Sequence, residues 1–314
     1  MIETRDLRKT YRSGSGPVEA VRGVDLVVKT GEIYGLLGPN GAGKTTTMRM
    51  LATLIPPTSG AATVAGVDLL ARPGDVRRRI GYVAQGGSTD REMTARRELH
   101  QQGRFHGLSR IRARARADET IAALRLAEIA DRPVKTYSGG QTRRLDIAIG
   151  LVHQPALLFL DEPTTGLDPQ SRAYLWDEVR QLRERGTTIF LTTHYLDEAD
   201  ALCDRVAIVD HGLVVAEGTP GELKRDIAGE SIVIGSEAPL GVRDALAGLS
   251  GLRDLTLGEN EVRAYVDDAA GALPAALRLL YSAGQSVTTA SVSRPSLDDV
   301  FMQKTGRSLR EVAA

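Results

Sequence analysis

The sequence predicts an α/β chain in two parts, a large unit built on an open α/β sheet and a small α+β unit behind it. Three observations carry this. Residues 33–47, IYGLLGPNGAGKTTT, read as an apolar strand, a glycine-bracketed loop and the start of a helix. Residues 156–160, ALLFL, read as a buried strand that delivers Asp161 and Glu162 at its C-terminal end, where open α/β sheets bind ligands. Beyond residue 229 the elements run βαββαβ, the ferredoxin-like order.

The loop comes first because its chemistry is the most specific. Gly38, then Pro39, Asn40, Gly41 and Ala42, then Gly43, Lys44, Thr45 and Thr46 form the pattern in which successive backbone N–H groups curl around the phosphates of a nucleotide. Glycine is needed where the chain passes too close to the ligand for a Cβ. Lys44 reaches the β and γ phosphates as a cation, the Thr45 hydroxyl ligates Mg²⁺, and the helix that starts there adds its positive dipole end. The large unit is therefore expected to be a P-loop NTPase.

Composition narrows the partners. Hydrophobic residues make up 42% and charged residues 25%, enough apolar material for a core. Lys plus Arg equals Asp plus Glu at 40 each, so no global field draws the chain to nucleic acid or to anionic lipid. A lone cysteine, Cys203, forms no internal disulfide and suits a reducing compartment. The opening MIETRDLRKTY lacks an apolar h-region, and no run approaches 18 uninterrupted apolar residues. A membrane, if involved, must be spanned by another chain.

In chain order, two β-rich segments over 2–28 flank a turn at 13–17. Tyr11, at the end of the first segment, is either an aromatic platform for a purine ring or a core or edge tyrosine. A helix over 44–55 stops at Pro56 and Pro57. Residues 60–70 alternate as a strand, 75–79 form a short basic turn, and 80–84 form a strand ending at Gln85. Residues 94–130 are mostly helical, and their arginines at 104, 110, 112, 114 and 116 read as a solvated face in preference to a partner contact. YSGGQ at 137–141 then opens a helix with a second anion-ready terminus. One triphosphate rarely needs two such cradles, but two copies of the chain facing head to tail would use both.

After the 156–160 strand, Asp161 is placed to hold Mg²⁺ beside the phosphate loop. Glu162, expected on the other side of the strand, is placed to take a proton from an attacking water. GLDP at 166–169 turns into a helix over 170–185, and the strand 187–192 ends at His194, positioned to donate to a γ-phosphate or to orient a water. Residues 196–202 form a helix, 206–209 and 214–217 strands, and 219–228 a last helix. A boundary is expected at 229, dividing the chain into 1–228, with a helical subdomain at about 86–153, and 229–314. The small unit closes on a helix over 296–305 with Ser296 as N-cap and Asp299 approximating a capping box.

Taken together, GPNGAGKTT, Gln85, YSGGQ, LLFLDEP, GLDP and His194, in that order, resemble the nucleotide-binding domain of ABC transporters over roughly residues 1–228. The resemblance implies ATP and Mg²⁺ as ligands and a role for each matching residue. Tyr11 corresponds to the adenine-stacking aromatic, residues 38–46 to Walker A, and Gln85 to the glutamine that senses Mg²⁺ and the membrane partner. Ser138, Gly140 and Gln141 correspond to the signature that touches the other subunit's γ-phosphate. Asp161 and Glu162 correspond to Walker B and the catalytic base, Asp168 to the D-loop and His194 to the switch histidine. Tyr137 stands where leucine is commoner, but Ser138 and the glycines are intact.

The tail RPSLDDVFMQKTG, 294–306, and the stretch GGSTDREMTARREL after Gln85 are similar to ATP-binding subunits of daunorubicin-resistance-type exporters. This resemblance implies an ATPase that works as a homodimer on the cytoplasmic face of the cell membrane and drives a separate integral-membrane permease. The rivals are the ATPase subunit of an importer or of a lipid or polysaccharide exporter, and a soluble ABC switch protein. The last usually carries two cassettes or long coiled-coil insertions, and this chain has neither.

Overall fold

The computed structural model describes residues 1–14, 16–87, 89–227, 230–293 and 295–309. The chain divides into two compact units that meet in sequence between Thr219 and Pro220.

The first unit opens with an antiparallel layer. Its centre is β1 (Ile2–Ser13), flanked by β2 (Gly16–Val24) and paired at its start with β3 (Val27–Val28). After β4 (Ile33–Leu37) and α1 (Lys44–Leu51), the layer is completed by β5 (Ser59–Val64) on the other side of β1 and by β6 (Val67–Asp68). Residues 60–70, expected as one strand, thus form a hairpin. Ala65 and Gly66 take φ of 50° and 73°, the double positive turn whose twist suits a two-residue connection. The basic turn expected at 75–79 is a helix, α2 (Pro73–Arg79), with proline in the first turn, where its missing N–H costs nothing, and Val76 buried.

The second layer is a six-stranded sheet. It adds β7 (Ile80–Val83), then, beyond α3 (Ala95–Phe105), α4 (Arg110–Ala123) and α5 (Gly139–Leu151), β8 (Leu157–Asp161). After α6 (Pro169–Glu184) come β9 (Thr188–Thr193), α7 (Leu196–Leu202), β10 (Arg205–Asp210) and β11 (Leu213–Gly218). The order is β11-β10-β4-β9-β8-β7, parallel except for the edge strand β11. β4, β8 and β9 are buried along their whole length, which is why none of them shows the apolar/polar alternation of a half-exposed strand. Phe190 stacks on Tyr34 at 5.7 Å and meets Phe159 edge-on at 5.5 Å across these three strands. Their registers, Leu37 with Thr193 and Asp161 with Thr192, bring three strand ends to one level. The region 94–130, expected as mostly helical, breaks at 106–109, where Gly107 (φ 82°) turns the chain and Ser109 caps α4.

The second unit begins with α8 (Pro220–Ile227), which packs against the last helix and so belongs here and not, as expected, to the first domain. Residues 228 and 229, where the boundary was expected, lie outside the described residues, as does residue 15 in the expected turn. There follow β12 (Ser231–Gly235), α9 (Pro239–Leu246), β13 (Leu252–Leu257), β14 (Glu261–Val266), α10 (Ala269–Ser282), β15 (Thr289–Ser293) and α11 (Leu297–Thr305). The sheet, ordered β13-β14-β12-β15, is antiparallel throughout. Ile232, Ile234, Val262 and Ala264 on one face pack with Val242, Leu246, Ala276 and Leu280 of α9 and α10. The capping box of Ser296 and Asp299 is present, and Gly306 (φ 76°) ends α11.

Candidate active site

The loop between β4 and α1 depends on glycine at the positions the spacing singled out. A Cβ on Gly38 would lie 2.2 Å from the Val209 carbonyl oxygen; one on Gly43, itself at φ 101°, would lie 2.4 Å from that of Ala20. Gly43 caps α1 without a side chain, and the first turn of α1 holds no acidic residue, so this helix start suits an anion. Lys44 is only 4% exposed and donates from Nζ to the carbonyl oxygens of Gly38 (2.8 Å) and Pro39 (2.9 Å). Burial pushes its pKa down, opposed by Glu162 and Asp161. A polyphosphate beside Nζ would reinforce its charge.

Asp161 is almost fully buried, yet its oxygens are well supplied with donors. Oδ1 accepts from the hydroxyls of Thr45 (3.0 Å) and Thr192 (2.7 Å), and Oδ2 from Tyr82 (3.3 Å). A threonine hydroxyl and a carboxylate side by side are the hard oxygen donors that Mg²⁺ selects.

Glu162 corrects an expectation. It was placed on the opposite side of the strand, but its φ of 44° ends the alternation, and both carboxylates converge on neighbouring residues of the loop. Asp161 faces Thr45; Glu162 Oε1 lies 3.8 Å from Lys44 Nζ. The strained backbone is held by the Glu162 N–H, 3.1 Å from both the carbonyl and the hydroxyl oxygen of Thr192. Glu162 Oε2 accepts from Gln85 Nε2 (2.9 Å) and Thr165 Oγ1 (3.1 Å). His194 Nδ1 sits 3.3 Å away, off the line of a hydrogen bond, and is a buried nitrogen without such a partner. The neighbouring His194 ring holds the Glu162 carboxyl below its usual range against the opposing pull of burial, with Lys44 and Thr165 acting in the same sense. At neutral pH the group is an anion able to accept a proton.

Of the remaining expected residues, Ser138, Gly140, Gln141 and Asp168 form a second cluster, and Tyr11 stands apart from it. Ser138 and Gln141 cap α5 reciprocally: Ser138 Oγ accepts from the Gln141 N–H at 3.3 Å, and Gln141 Oε1 from the Ser138 N–H at 2.9 Å. A Cβ on Gly140 would lie 3.1 Å from Ser171 Oγ, whose hydroxyl donates to Asp168, the N-cap of α6. Tyr11 is 40% exposed on β1, with Lys9 Nζ 5.3 Å from its ring centre.

Two residues of the site were missed. Thr192, the last residue but one of β9, binds both Asp161 and the Glu162 N–H. Arg143 on α5 donates to three carbonyl oxygens, those of Pro163 (2.8 Å), Ala84 (2.6 Å) and Asp161 (3.1 Å), and so ties the helix of Ser138 to the backbone on either side of Glu162 and before Gln85. No local pattern marks either one.

A parallel sheet with a lysine-bearing phosphate loop at one strand end and a paired Asp and Glu at another defines a P-loop ATPase. A family described as ABC transporter matches residues 21–165, and one described as ATP-binding protein DrrA1-3-like, C-terminal domain, matches 218–305. The chain is 46% identical to the daunorubicin/doxorubicin resistance ATP-binding protein DrrA of Streptomyces peucetius, over 99% of this chain and 96% of that protein. It is 39% identical to Nod factor export ATP-binding protein I of Burkholderia orbicola, over 99% and 98%. A dimeric ATP-binding cassette solved in a post-hydrolysis state with ADP and Pi superposes with a TM-score of 0.64 at 27% identity, over 70% of this chain and 98% of that one. The chain belongs to the DrrA daunorubicin/doxorubicin-resistance family of ABC transporter ATP-binding proteins, and its first unit is an ABC ATPase.

Proposed function

We propose that the chain hydrolyses MgATP as a homodimer at the cytoplasmic face of the cell membrane and thereby powers efflux of a drug or antibiotic-like hydrophobic compound through a separate membrane permease. The observation that carries the chemistry is Glu162, an anionic carboxylate held between Lys44, Gln85 and His194. Among the described residues no helix is long and apolar enough to cross a membrane, in keeping with a separate spanning subunit.

In this reading Gly38 to Thr46 cradle the phosphates and Lys44 exchanges its two loop carbonyls for phosphate oxygens. Thr45 and Asp161, with Gln85, would hold Mg²⁺, which supplies charge neutralisation at the β and γ phosphates. Tyr11 stacks on adenine. Glu162 accepts a proton from water as the water oxygen bonds to the γ-phosphorus and the bond to the bridging oxygen breaks, giving ADP and phosphate. Lys44 and His194 stabilise the charge that develops. Ser138, Gly140, Gln141 and Asp168 form a cluster of their own, which supports a site completed by a second copy's signature.

Glu162→Gln should keep ATP binding and lose turnover by at least ~10²-fold, the range for loss of a general base. Near-normal steady-state hydrolysis in that variant would overturn the assignment. For cargo, co-expression with a candidate permease should raise drug resistance of the host only with an intact Glu162. The likeness to a Nod factor export protein supports a second reading, export of a compound other than a drug, which uptake into inverted vesicles would separate. The strand order β13-β14-β12-β15 supports a ferredoxin-like second unit, to which we assign assembly or coupling.

A further inference from the structure

The two edges of the four-stranded sheet are built differently. β13 carries Arg253 and Asp254, and its pairing with β14 shifts register between Leu252 and Asp254, so charge and an irregularity mark that edge. β15 reads TASVS, with no charge and no proline, and pairs with β12 in unbroken register over five residues. Among the described residues β12 is its only strand neighbour. Thr289 to Val292 are exposed. Val292 is 41% exposed although Ile232, directly across from it and on the same face, is fully buried. α10 packs against both strands and shows Leu277 and, one turn on, Tyr281, 88% exposed. A neutral, regular edge is a template for another strand, and natural sheets normally blunt it as β13 is blunted.

We propose that β15 is a self-pairing edge, at which two copies of this chain join antiparallel about a two-fold axis at Ser291 and merge their sheets into one. The sequence of the strand suits its own copy. In that register Thr289 meets Ser293, a small hydroxyl against a small hydroxyl, and Ala290 meets Val292, which covers the apolar side chain left open at the edge of the core. No like charges are opposed, and the contact is isologous, as a two-fold pair requires. No residue of the phosphate loop takes part, so the pairing is independent of nucleotide. It would keep two cassettes tethered between turnovers, at the high effective concentration that linkage provides.

The full chain offers a clean test because its only cysteine, Cys203, is buried. Residues directly opposed in an antiparallel pair have Cα atoms about 4.5–5.5 Å apart, inside the range of about 4.4–6.8 Å that a disulfide spans. Ser291→Cys, oxidised without nucleotide, should convert most of the protein to a covalent dimer. Asp254→Cys on the opposite edge should give little, and adding Val292→Lys to Ser291→Cys should cut the yield at least ~10-fold, because it removes the apolar side chain set against Ala290 and brings two like charges to diagonal positions about 7–8 Å apart. A monomeric Ser291→Cys, equal yields at 291 and 254, or a yield indifferent to Val292→Lys would each overturn the proposal. ATP-dependent pairing of Glu162→Gln, measured separately, reports the shared ATP site and is untouched by any of these outcomes.

Discussion

Arg143→Met should destabilise the first unit by about 3–5 kcal/mol while leaving the second unit intact. Arg143 is 7% exposed and reaches three carbonyl oxygens at 2.6–3.1 Å. Each hydrogen bond to a charged group is worth about 1.5–3 kcal/mol, and removing the donor leaves buried carbonyls without it. Against this stands relief of the guanidinium's burial, which already pushes its pKa down against the pull of Asp146, 3.9 Å away, and of Asp161. The net falls in the range measured when one partner of a buried charged contact is removed. The chain supplies its own probe. Its single tryptophan, Trp176 on α6, donates from the indole N–H to the buried Glu198 at 3.1 Å, so its fluorescence follows the first unit alone. That matters because a chain of two units need not unfold in one step. With a urea slope of about 3 kcal/mol/M, the midpoint should fall by about 1–1.7 M. Arg143→Lys should not restore it, since an ammonium cannot present a planar fork to three separated acceptors. A midpoint shift under ~0.3 M, roughly 1 kcal/mol, would show that the clamp contributes little and refute the reasoning.

Two further outcomes follow from the same geometry. Thr192→Val keeps the shape of a fully buried side chain but removes the donor to Asp161 (2.7 Å) and an acceptor for the Glu162 N–H (3.1 Å). Turnover at saturating MgATP should drop ~10-fold or more, about 1.4 kcal/mol of barrier, with KM little changed; wild-type turnover in the folded variant would count against it. His153 is pushed down to about 4, chiefly by burial, against the pull of the Ile80 carbonyl oxygen 2.8 Å from Nε2, with the His106 ring stacked 3.6 Å away. Its folded pKa lies below the ordinary 6.5, so the unfolded chain takes up the proton first. The stability due to the neutral ring is therefore whole above about pH 6.5 and is lost as pH falls from there towards about 4, at up to ~1.4 kcal/mol per pH unit. Urea midpoints read by Trp176 between about pH 6.5 and 5 should fall more steeply in the parent chain than in His153→Leu; equal slopes would rule the effect out.

The parts of this site that were legible are those whose chemistry needs contiguous residues. A phosphate loop must have its glycines, lysine and threonine in one short run, and the contacts of Gly38 and Gly43 with distant carbonyls are the steric reason a Cβ is excluded there. The carboxylates of Asp161 and Glu162 were legible as strand-end groups because a strand covered on both faces is unbroken in its apolarity. How Glu162 is aimed was not, since strand alternation holds only while the backbone stays extended, and a φ of 44° overrides it. The hairpin at Ala65 and Gly66 was missed although it leaves a mark: buried Ala62 and Val64 are followed by Val67 and Leu69, and the three-residue step from Val64 to Val67 breaks the alternation that one strand would keep. Arg143 shows the deeper limit. In sequence it is one more arginine in an arginine-rich chain, and Arg104 or Arg112 would look the same. Its burial is decided by three carbonyls at residues 84, 161 and 163, which come together only once β7 and β8 are paired and α5 lies across them. A buried cation is tolerable only where such acceptors converge. The same residue that no periodicity could single out thus ties the helix of Ser138 to the strand ends that carry Gln85 and Glu162, and a change in either cluster has a rigid route to the other.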